Sequence, residues 1–590
     1  MRKRSLRPFL VALLLLPATG LAQESSSLTD LFADDWEFTL QENPLFATDV
    51  GDRRYNDRLG SVLPEDFERR AAHDREMIER LHAIDREGLS TEERVNYDIF
   101  QRLKQNDVTE FEFGTYLMPI TNRDGFHVSF AQLAENVPLA TVEDYENYIA
   151  RLEAFDTYVD QHITLMRAGI ERGLVLPAIV LTGWEGAVEP HIVADPTESR
   201  LYDAFEKFPE TISSQERTRL TDHGSAAIEE SVVPGYRAFL AFMRDDYVPA
   251  ARSTIGASAL PQGEAFYGHR VRMFTTLDDK TPQAVHETGL AEVRRIRAEM
   301  EAVIQKAGFE GSFDEFVEFL RTDDRFYAET PEELMQAVAL VLKKMDGQLP
   351  SLFKTLPRMP YGIKPIPDFI APKTTTAYYQ GPAGDGTRAG FYFVNTYDLR
   401  ARPLYEIEAL SFHEAVPGHH LQIARAQELG DLPEFRRFSG FTAFVEGWAL
   451  YAERLGLETG FYQDPYRDFG RLTYEMWRAT RLVVDTGIHA MGWERQEAID
   501  FMAQNTALSI HNVESEVDRY IAWPGQALAY KTGELEIRRL RDEAEEALGD
   551  RFDVREFHDV VLGSGAVPLS VLRANVEAWI AAERSAPASR

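Results

Sequence analysis

Most of the chain consists of segments in which apolar residues recur at helical spacing, and this pattern restricts the fold to a mainly α-helical class. The segment 281–308 begins with Thr281 and Pro282, a capping residue followed by proline at the first helical position, and it closes on Gly308. A second segment opens in the same way at Thr330. Further helices are predicted over residues 143–173, 404–428, 441–454, 468–491 and 494–505.

One stretch departs from the helical pattern. Residues 375–399 contain two aromatic, β-branched runs around a Gly/Pro-rich centre, which predicts a small β-hairpin or strand pair. No internal repeat and no long linker divides the chain. We therefore expect one large helical domain over residues 23–590 with a small strand element.

The N-terminus predicts export. Four basic residues precede an apolar run that is too short to span a bilayer, and small residues follow it. We expect a signal peptide over residues 1–22, cleaved after Ala22, and a periplasmic or secreted protein that has no membrane association after cleavage.

Charge and cysteine content narrow the function further. The net charge of -33 repels nucleic acid and anionic membranes, so neither is expected as a partner. The 590 residues contain no cysteine, which excludes disulfides and the lipid-modified cysteine of a bacterial lipoprotein. Any metal site is limited to His, Asp and Glu ligands.

The stretch HEAVPGHH, residues 413–420, begins like the zinc-binding motif H-E-x-x-H but places Pro417 where the second histidine belongs. On an unbroken helix His419 would lie about 240° round from His413, and His420 would lie about 10 Å along the axis. Neither could share a zinc ion with His413 on a straight helix. Proline followed by Gly418 should bulge or break the helix between the ligands.

A break of this kind would bring a second imidazole next to His413. A bulge that absorbs two residues favours His419 as the second ligand, whereas a wider break would favour His420. Histidine is scarce, with 14 residues in the chain, so three within eight positions is unexpected for a chance cluster.

A third protein ligand is expected from the following helix, with the fourth position left for water or substrate. Glu446 lies in an otherwise apolar run and needs a partner there. Glu453, near the charged end of the same helix, is expected in solvent. We therefore predict one Zn²⁺ held by His413, His419 and Glu446, with Glu414 as general base.

Two later segments offer groups that could hold the transition state or the substrate. Arg481, Asp485 and His489 follow one another at four-residue spacing and share a helix face. His489 is a candidate catalytic or substrate-facing residue and Arg481 a candidate substrate-binding residue. A surface ion-pair ladder is the alternative.

The segment after Pro524 and Gly525 presents Tyr530 and Lys531. Tyr530 could donate to an oxyanion, and Lys531 or Arg538 could bind a substrate carboxylate. Packing for Tyr530 and solvation for Lys531 are the alternatives.

Two weaker candidates complete the predicted substrate site. These are His420, if it does not bind the metal, and Asn395 in a strand that could dock extended substrate by edge pairing.

Several motifs together resemble a known bacterial family, catalogued as domain of unknown function 885. They are HEAVPGHHLQ, FVEGWALYAE, DTGIHAMGW and PGQALAYKTGELEI, with earlier pieces from NPLFATDVGDRRYND onward. The resemblance implies a mainly α-helical, zinc-dependent peptidase-like protein, similar in layout to the gluzincins. It implies a deep central groove between two lobes, with the catalytic lobe at about residues 370–590, and the same metal ligands and base.

Together these features predict an exported zinc metallopeptidase that hydrolyses short peptides in an oligopeptidase- or carboxypeptidase-like manner. Water polarised by zinc would be deprotonated by Glu414. One alternative is a zinc hydrolase of non-peptide amides or esters. Another is a catalytically silent helical binding protein.

Overall fold

The protein is described by a computed structural model that covers residues 18–121, 124–367, 371, 375–383, 386, 388–430 and 432–585, with side chains from residue 27 onward. Residues 1–17 of the predicted signal peptide lie outside the described residues. The first helix begins at Ala18 and runs through the predicted cleavage point.

The first half of the chain contains helices α1 to α12. Short 3-10 turns connect several of them, and π-helical turns join α9 to α11. Their bounds are α1 Ala18–Glu42, α2 Pro44–Asp49, α3 Pro64–His82, α4 Thr91–Phe113, α5 Phe126–Phe130, α6 Leu133–Asn136, α7 Val142–Glu153, α8 Phe155–Arg172, α9 Ser214–Ala227, α10 Val233–Phe242, α11 Val248–Ala250 and α12 Gly263–Thr275.

The second half contains helices α13 to α26 and the strands that position the candidate site. The helices are α13 Pro282–Lys306, α14 Phe313–Thr322, α15 Pro331–Asp346, α16 Leu349–Leu352, α17 Ile407–Glu414, α18 His419–Gln427, α19 Glu434–Phe438, α20 Thr442–Leu455, α21 Pro465–Ala490, α22 Arg495–Asn505, α23 Ile510–Ala522, α24 Ala529–Leu548, α25 Val554–Leu562 and α26 Leu569–Ser585. The mainly α-helical prediction is confirmed.

The Thr-Pro openings act as predicted. The Thr281 side chain accepts a hydrogen bond from the backbone N–H of Ala284, and Thr330 accepts one from Glu333, so each satisfies a free donor in the first turn. The single helix predicted over 143–173 is wrong, because the structure divides it at Ala154 into α7 and α8.

The division at Ala154 has a packing reason. The Ser231 hydroxyl accepts the backbone N–H of Asp156 in place of a helical carbonyl, and the chain turns so that Phe155 stacks on Phe130 with ring centroids 3.9 Å apart. Tertiary contacts thus override a continuous helical pattern.

The strand element is a three-stranded sheet of order β1-β3-β2, formed by β1 Tyr361–Pro365, β2 Ala377–Gln380 and β3 Gly390–Val394. The predicted hairpin corresponds to β2 and β3, which pair antiparallel with Ala377 opposite Val394. Strand β1, which was not predicted, runs parallel to β3. The sheet lies against α18, because Tyr379 on β2 contacts His420 through its hydroxyl group.

Helices α20 and α24 cross at a contact that only glycines allow. A Cβ on Gly533 would lie 1.9 Å from the carbonyl oxygen of Ala443, and a Cβ on Gly447 would lie 2.5 Å from the Cα of Gly533. This backbone-to-backbone approach fixes α20, the helix that carries Glu446. None of the helices in the described part of the chain has both the length and the apolar composition that crossing a membrane requires.

We expect Gly533→Ala to destabilise the protein by more than about 2 kcal/mol, because the added methyl group meets backbone rather than a movable side chain. Gly440→Ala is the matched control, since its Cβ would have no neighbour within 4 Å, and it should change stability by less than about 0.5 kcal/mol. Urea unfolding followed by circular dichroism measures both. Equal unfolding midpoints for the two variants would contradict the close crossing.

Candidate metal centre

The motif HEAVPGHH is divided between two helices, since α17 ends at Glu414 and α18 begins at His419. Pro417 lies in the break, where its missing N–H interrupts no helical hydrogen bond, and the Val416–Pro417 peptide bond is cis. A Cβ on Gly418 would lie 2.0 Å from the carbonyl oxygen of His413, so the chain folds back on itself at a spacing that only glycine allows. Of the predicted bulge or break, the structure shows a break.

The break brings His413, at the end of α17, next to His419, at the start of α18. Helix α20 contributes Glu446. The Oε2 atom of Glu446 lies 3.4 Å from Nε2 of His413 and 3.8 Å from Nε2 of His419. One ligand atom from each of the three side chains lies within 4.8 Å of the others, so these residues could hold one metal ion.

Of the two histidines that sequence reasoning left open, His419 faces the cluster. His420 is occupied elsewhere, because its Nδ1 lies 2.8 Å from the Tyr379 hydroxyl and its Nε2 lies 3.1 Å from the carbonyl oxygen of Met359. Both ring nitrogens of His420 therefore serve to join α18 to the sheet region. The prediction that His420 binds substrate does not fit this position.

Glu453 orients the first ligand. Its Oε1 lies 2.8 Å from Nδ1 of His413, which leaves Nε2 to face the cluster. The Glu453 side chain is 2% exposed, so the expectation that it is solvated is wrong. Arg478 lies behind it, with Nη2 3.5 Å from the same carboxylate oxygen. Glu453 follows Glu446 by about two helical turns and so lies on the same face of α20. This spacing is the sequence signal that could have predicted a role for Glu453 beside the metal ligands.

The cluster contains more negative than positive charge, because the three carboxylates of Glu414, Glu446 and Glu453 face one guanidinium. Burial opposes a charge on His413, but the nearby Glu446 and Glu453 carboxylates outweigh burial and raise its pKa to about 9. Burial would raise the pKa of Glu446, yet His413 and His419 lower it to about 2. In this state a proton on His413 supplies the positive charge that the cluster requires.

The donor set fits a divalent cation. Two buried imidazoles and a carboxylate are ligands typical of zinc, and in a tetrahedral site with bonds of about 2.1 Å the ligand atoms are separated by about 3.4 Å. The observed 3.4 and 3.8 Å are close to that separation. The ring nitrogens nearest to the buried Glu446 Oε2, at 3.4 and 3.8 Å, make no well-formed hydrogen bond to it in the described structure. A buried carboxylate oxygen without a donor is stabilised by a cation.

Glu414 is adjacent to the cluster and retains some exposure to solvent. Burial raises its pKa to about 7, against the opposing effect of His413, and the Glu446 carboxylate contributes in the same direction as burial. A carboxylate with this pKa can exchange a proton near neutral pH, as a general base must.

Tyr530 and Arg481 lie together on one side of the cluster. The Arg481 guanidinium is 4.4 Å from the centroid of the Tyr530 ring. Burial, followed by the charge of Glu446, raises the pKa of Tyr530, so its hydroxyl stays protonated and can donate. The structure therefore keeps Tyr530 as a candidate donor near the metal ligands.

His489 is not available as a catalytic or substrate-facing group, and that prediction is corrected. It is fully buried; its Nδ1 accepts the backbone N–H of Ala257 at 2.9 Å, and its Nε2 lies 2.9 Å from the Tyr520 carbonyl oxygen. Asp485 instead accepts hydrogen bonds from the Tyr267 hydroxyl and from Gly525 N. Both residues serve to join α21 to neighbouring segments.

Lys531 and Arg538 do not fit the predicted binding of a substrate carboxylate. The Lys531 side chain is 0% exposed and its Nζ lies within 3.2 Å of carboxylates on Glu292, Glu475 and Glu534. Arg538 pairs with the other oxygen of Glu534 at 3.2 Å. Both cations are already neutralised by the protein.

Asn395 also has an internal role instead of the predicted contact with substrate. It is fully buried, and its Nδ2 donates to the carbonyl oxygens of Ala371 and Thr375 while its Oδ1 accepts from Tyr397 N. These bonds hold the segments on either side of β2 and β3 together.

Comparison with known proteins decides the family. Residues 44–576 match the family described as "Bacterial protein of unknown function (DUF885)". The chain belongs to the DUF885 family. This confirms the resemblance seen in the sequence motifs, and no curated protein matches the chain.

Two solved structures are similar to this DUF885 chain. The crystal structure of a "putative lipoprotein" from Colwellia psychrerythraea aligns with a TM-score of 0.86 and 28% identity, covering 95% of this chain and 99% of that one. A "putative lipoprotein of unknown function" from Shewanella oneidensis aligns with a TM-score of 0.71 and 18% identity, covering 94% and 99%. The second likeness shows the fold alone. The gluzincin-like layout, the central groove and the division into lobes stay predictions.

We expect His419→Gln to weaken zinc binding by at least about a hundredfold, because it removes a ligand, whereas His420→Gln should still bind one zinc per chain. The two residues are adjacent and carry the same substitution, so each is the control for the other. Titration with zinc ion, followed by elemental analysis after gel filtration, measures the stoichiometry. Loss of zinc in His420→Gln alone would contradict the geometry.

Zinc affinity should rise with pH below about 9. His413 must lose its proton to act as a ligand, and because its pKa is raised to about 9, each pH unit below that value should cost about tenfold in apparent affinity. His419 adds no further proton in this range, since burial lowers its pKa to about 4. Competition with a chromophoric chelator at pH 6, 7 and 8 measures the slope. A flat profile would contradict the protonated state of His413.

Proposed function

We propose that this DUF885 protein is an exported zinc-dependent hydrolase that cleaves short peptides. The observation that carries the proposal is the convergence of His413, His419 and Glu446 from three helices, with Glu414 adjacent. Two histidines and a carboxylate with an open fourth position are typical of catalytic zinc sites. The chemistry that zinc supplies when bound there is activation of water and polarisation of a carbonyl group.

The side chains around the cluster would then have distinct roles. Glu414 takes a proton from the attacking water and later gives it to the leaving amine, which its pKa of about 7 allows near neutral pH. Tyr530 donates its hydroxyl hydrogen to the oxyanion. Glu453, held by Arg478, keeps His413 in the tautomer that presents Nε2 to the ion.

A short peptide is the substrate class that the surroundings favour. His413 and His419 are buried, while Glu414 and Glu446 retain partial exposure, so a flexible chain can reach the site more readily than a folded protein. The net charge of -33 disfavours nucleic acid. The same residues could also hydrolyse a non-peptide amide or an ester, and a substrate panel separates these reactions.

Export is supported by the N-terminal residues 1–22 and by the description of the Colwellia psychrerythraea relative as a lipoprotein. This sequence has no cysteine and so differs from a protein that is lipidated on cysteine. A periplasmic or secreted location agrees with a zinc peptidase that acts on peptides outside the cytoplasm.

We expect Glu414→Gln to lower peptide hydrolysis by about 10²- to 10⁴-fold while zinc content stays at one ion per chain, because the base is lost but the ligands remain. Glu497→Gln on the exposed face of α22 is the matched control and should retain wild-type rates. The assay is mass spectrometry of a peptide library, with and without chelator. Hydrolysis that survives in Glu414→Gln, or that survives chelation, would overturn the proposed mechanism.

A further inference from the structure

Two arginines beside the candidate site share a single carboxylate. Nη2 of Arg481 lies 3.1 Å from Oε2 of Glu516, and Nη2 of Arg519 lies 2.9 Å from the same oxygen. The exposed fraction of the side chain is 6% for Arg481, 14% for Arg519 and 12% for Glu516. Two guanidinium groups on one carboxylate leave an excess of one positive charge in a mostly buried location. A buried excess charge of this kind is costly unless an anion neutralises it.

Arg481 has a donor to spare. Its Nε donates to the Tyr520 hydroxyl at 2.9 Å and its Nη2 binds Glu516, whereas Nη1 is buried without a partner in the described structure. The guanidinium lies 4.4 Å from the ring centroid of Tyr530 and 4.6 Å from that of Trp477. These two rings hold the group in place, so the free donor is fixed in orientation before any ligand arrives.

The side chain of Arg481 lies near the residues that would bind the metal. Arg478, three residues before Arg481 and therefore on the same face of α21, lies 3.5 Å from Glu453, which in turn binds His413. Tyr530, against which Arg481 packs, is close enough to Glu446 to sense its charge. Nη1 of Arg481 is itself buried, but Tyr530 and Trp477, which pack on the guanidinium, are only partly buried, so a ligand would approach Nη1 along these two rings.

We propose that Arg481, through its free Nη1, binds a carboxylate of the peptide substrate and so makes this DUF885 protein prefer peptides with a carboxylate close to the scissile bond. This inference rests on the proposed function. Arg481 takes the role that the sequence suggested for Lys531 and Arg538, because carboxylates of the protein already neutralise those two residues. The carboxylate could be the C-terminus, as in a carboxypeptidase, or an Asp or Glu side chain.

Binding and hydrolysis together test the proposal. Binding is measured calorimetrically in the Glu414→Gln background, with zinc present, for three versions of one peptide: free acid, C-terminal amide, and amide with a glutamate as its last residue. Hydrolysis is measured with the same peptides in the wild type. Arg481→Gln is compared with Arg495→Gln, a matched loss of one positive charge at a half-buried arginine that pairs with Asp518 on α23.

The free acid should bind at least about tenfold more tightly than the amide, because a charge-assisted hydrogen bond is lost with the amide. Arg481→Gln should bring that ratio close to one, with little change for the amide, and Arg495→Gln should leave it unchanged. If the glutamate amide binds more tightly than the plain amide, the site accepts a side-chain carboxylate, which also supports the proposal.

Equal binding of all three peptides by the protein with intact Arg481, or binding of none, would overturn the carboxylate site whether or not the Arg481 variant folds. An acid preference that persists in Arg481→Gln would also overturn it. Equal hydrolysis of all three peptides would leave the peptidase proposal standing without this inference. Tight, Arg481-dependent binding of the acid with no cleavage of any peptide would remove the peptidase proposal alone.

Discussion

The arrangement of the candidate site depends on the break between α17 and α18. The chain leaves α17 at Glu414, reverses through Pro417 and Gly418, and resumes a helix at His419. The reversal requires the carbonyl oxygen of His413 to lie where a Cβ on Gly418 would be, so the turn and the presence of glycine are inseparable. A single helix would point the two imidazoles in different directions, and the third group, Glu446, would have no pair to join.

Buried charged side chains surround this break in the second half of the chain, and most of them are paired with the opposite charge. Lys531 is buried and neutralised by three carboxylates, and Arg478 is partly neutralised by Glu453. Around His413 the balance reverses, because carboxylates outnumber the guanidinium, and around Glu516 guanidinium groups outnumber the carboxylate. Helix α21 contacts both groups about one helical turn apart, through Arg478, which pairs with Glu453, and through Arg481, which pairs with Glu516. A zinc ion would neutralise the excess negative charge around His413, and a substrate carboxylate would neutralise the excess positive charge around Glu516.

Local sequence signals were sufficient where a short-range rule decides the structure. The Thr-Pro openings at Thr281 and Thr330 mark helix starts because capping is local, and Pro417 with Gly418 marks a break because both act on their own backbone. Glu446 stood out because a carboxylate in an apolar run needs a partner.

Sequence reasoning failed where long-range packing decides. Strand β1 was missed because its residues YGIKP contain proline and glycine and do not alternate, and its partner β3 is far along the chain. Glu453 looked solvated because it is near a charged helix end, yet α17 covers it. The roles of Lys531 and Arg481 were not separable from sequence, because each depends on carboxylates that other helices contribute.

The most direct test of the central claim is a crystal structure of the mature protein grown with zinc ion, with anomalous diffraction recorded on both sides of the zinc absorption edge. The account predicts one strong anomalous peak, with Nε2 of His413, Nε2 of His419 and a carboxylate oxygen of Glu446 about 2.0–2.2 Å from it. A peak bound to His420 instead, or no peak between these three side chains at full zinc occupancy in solution, would contradict it.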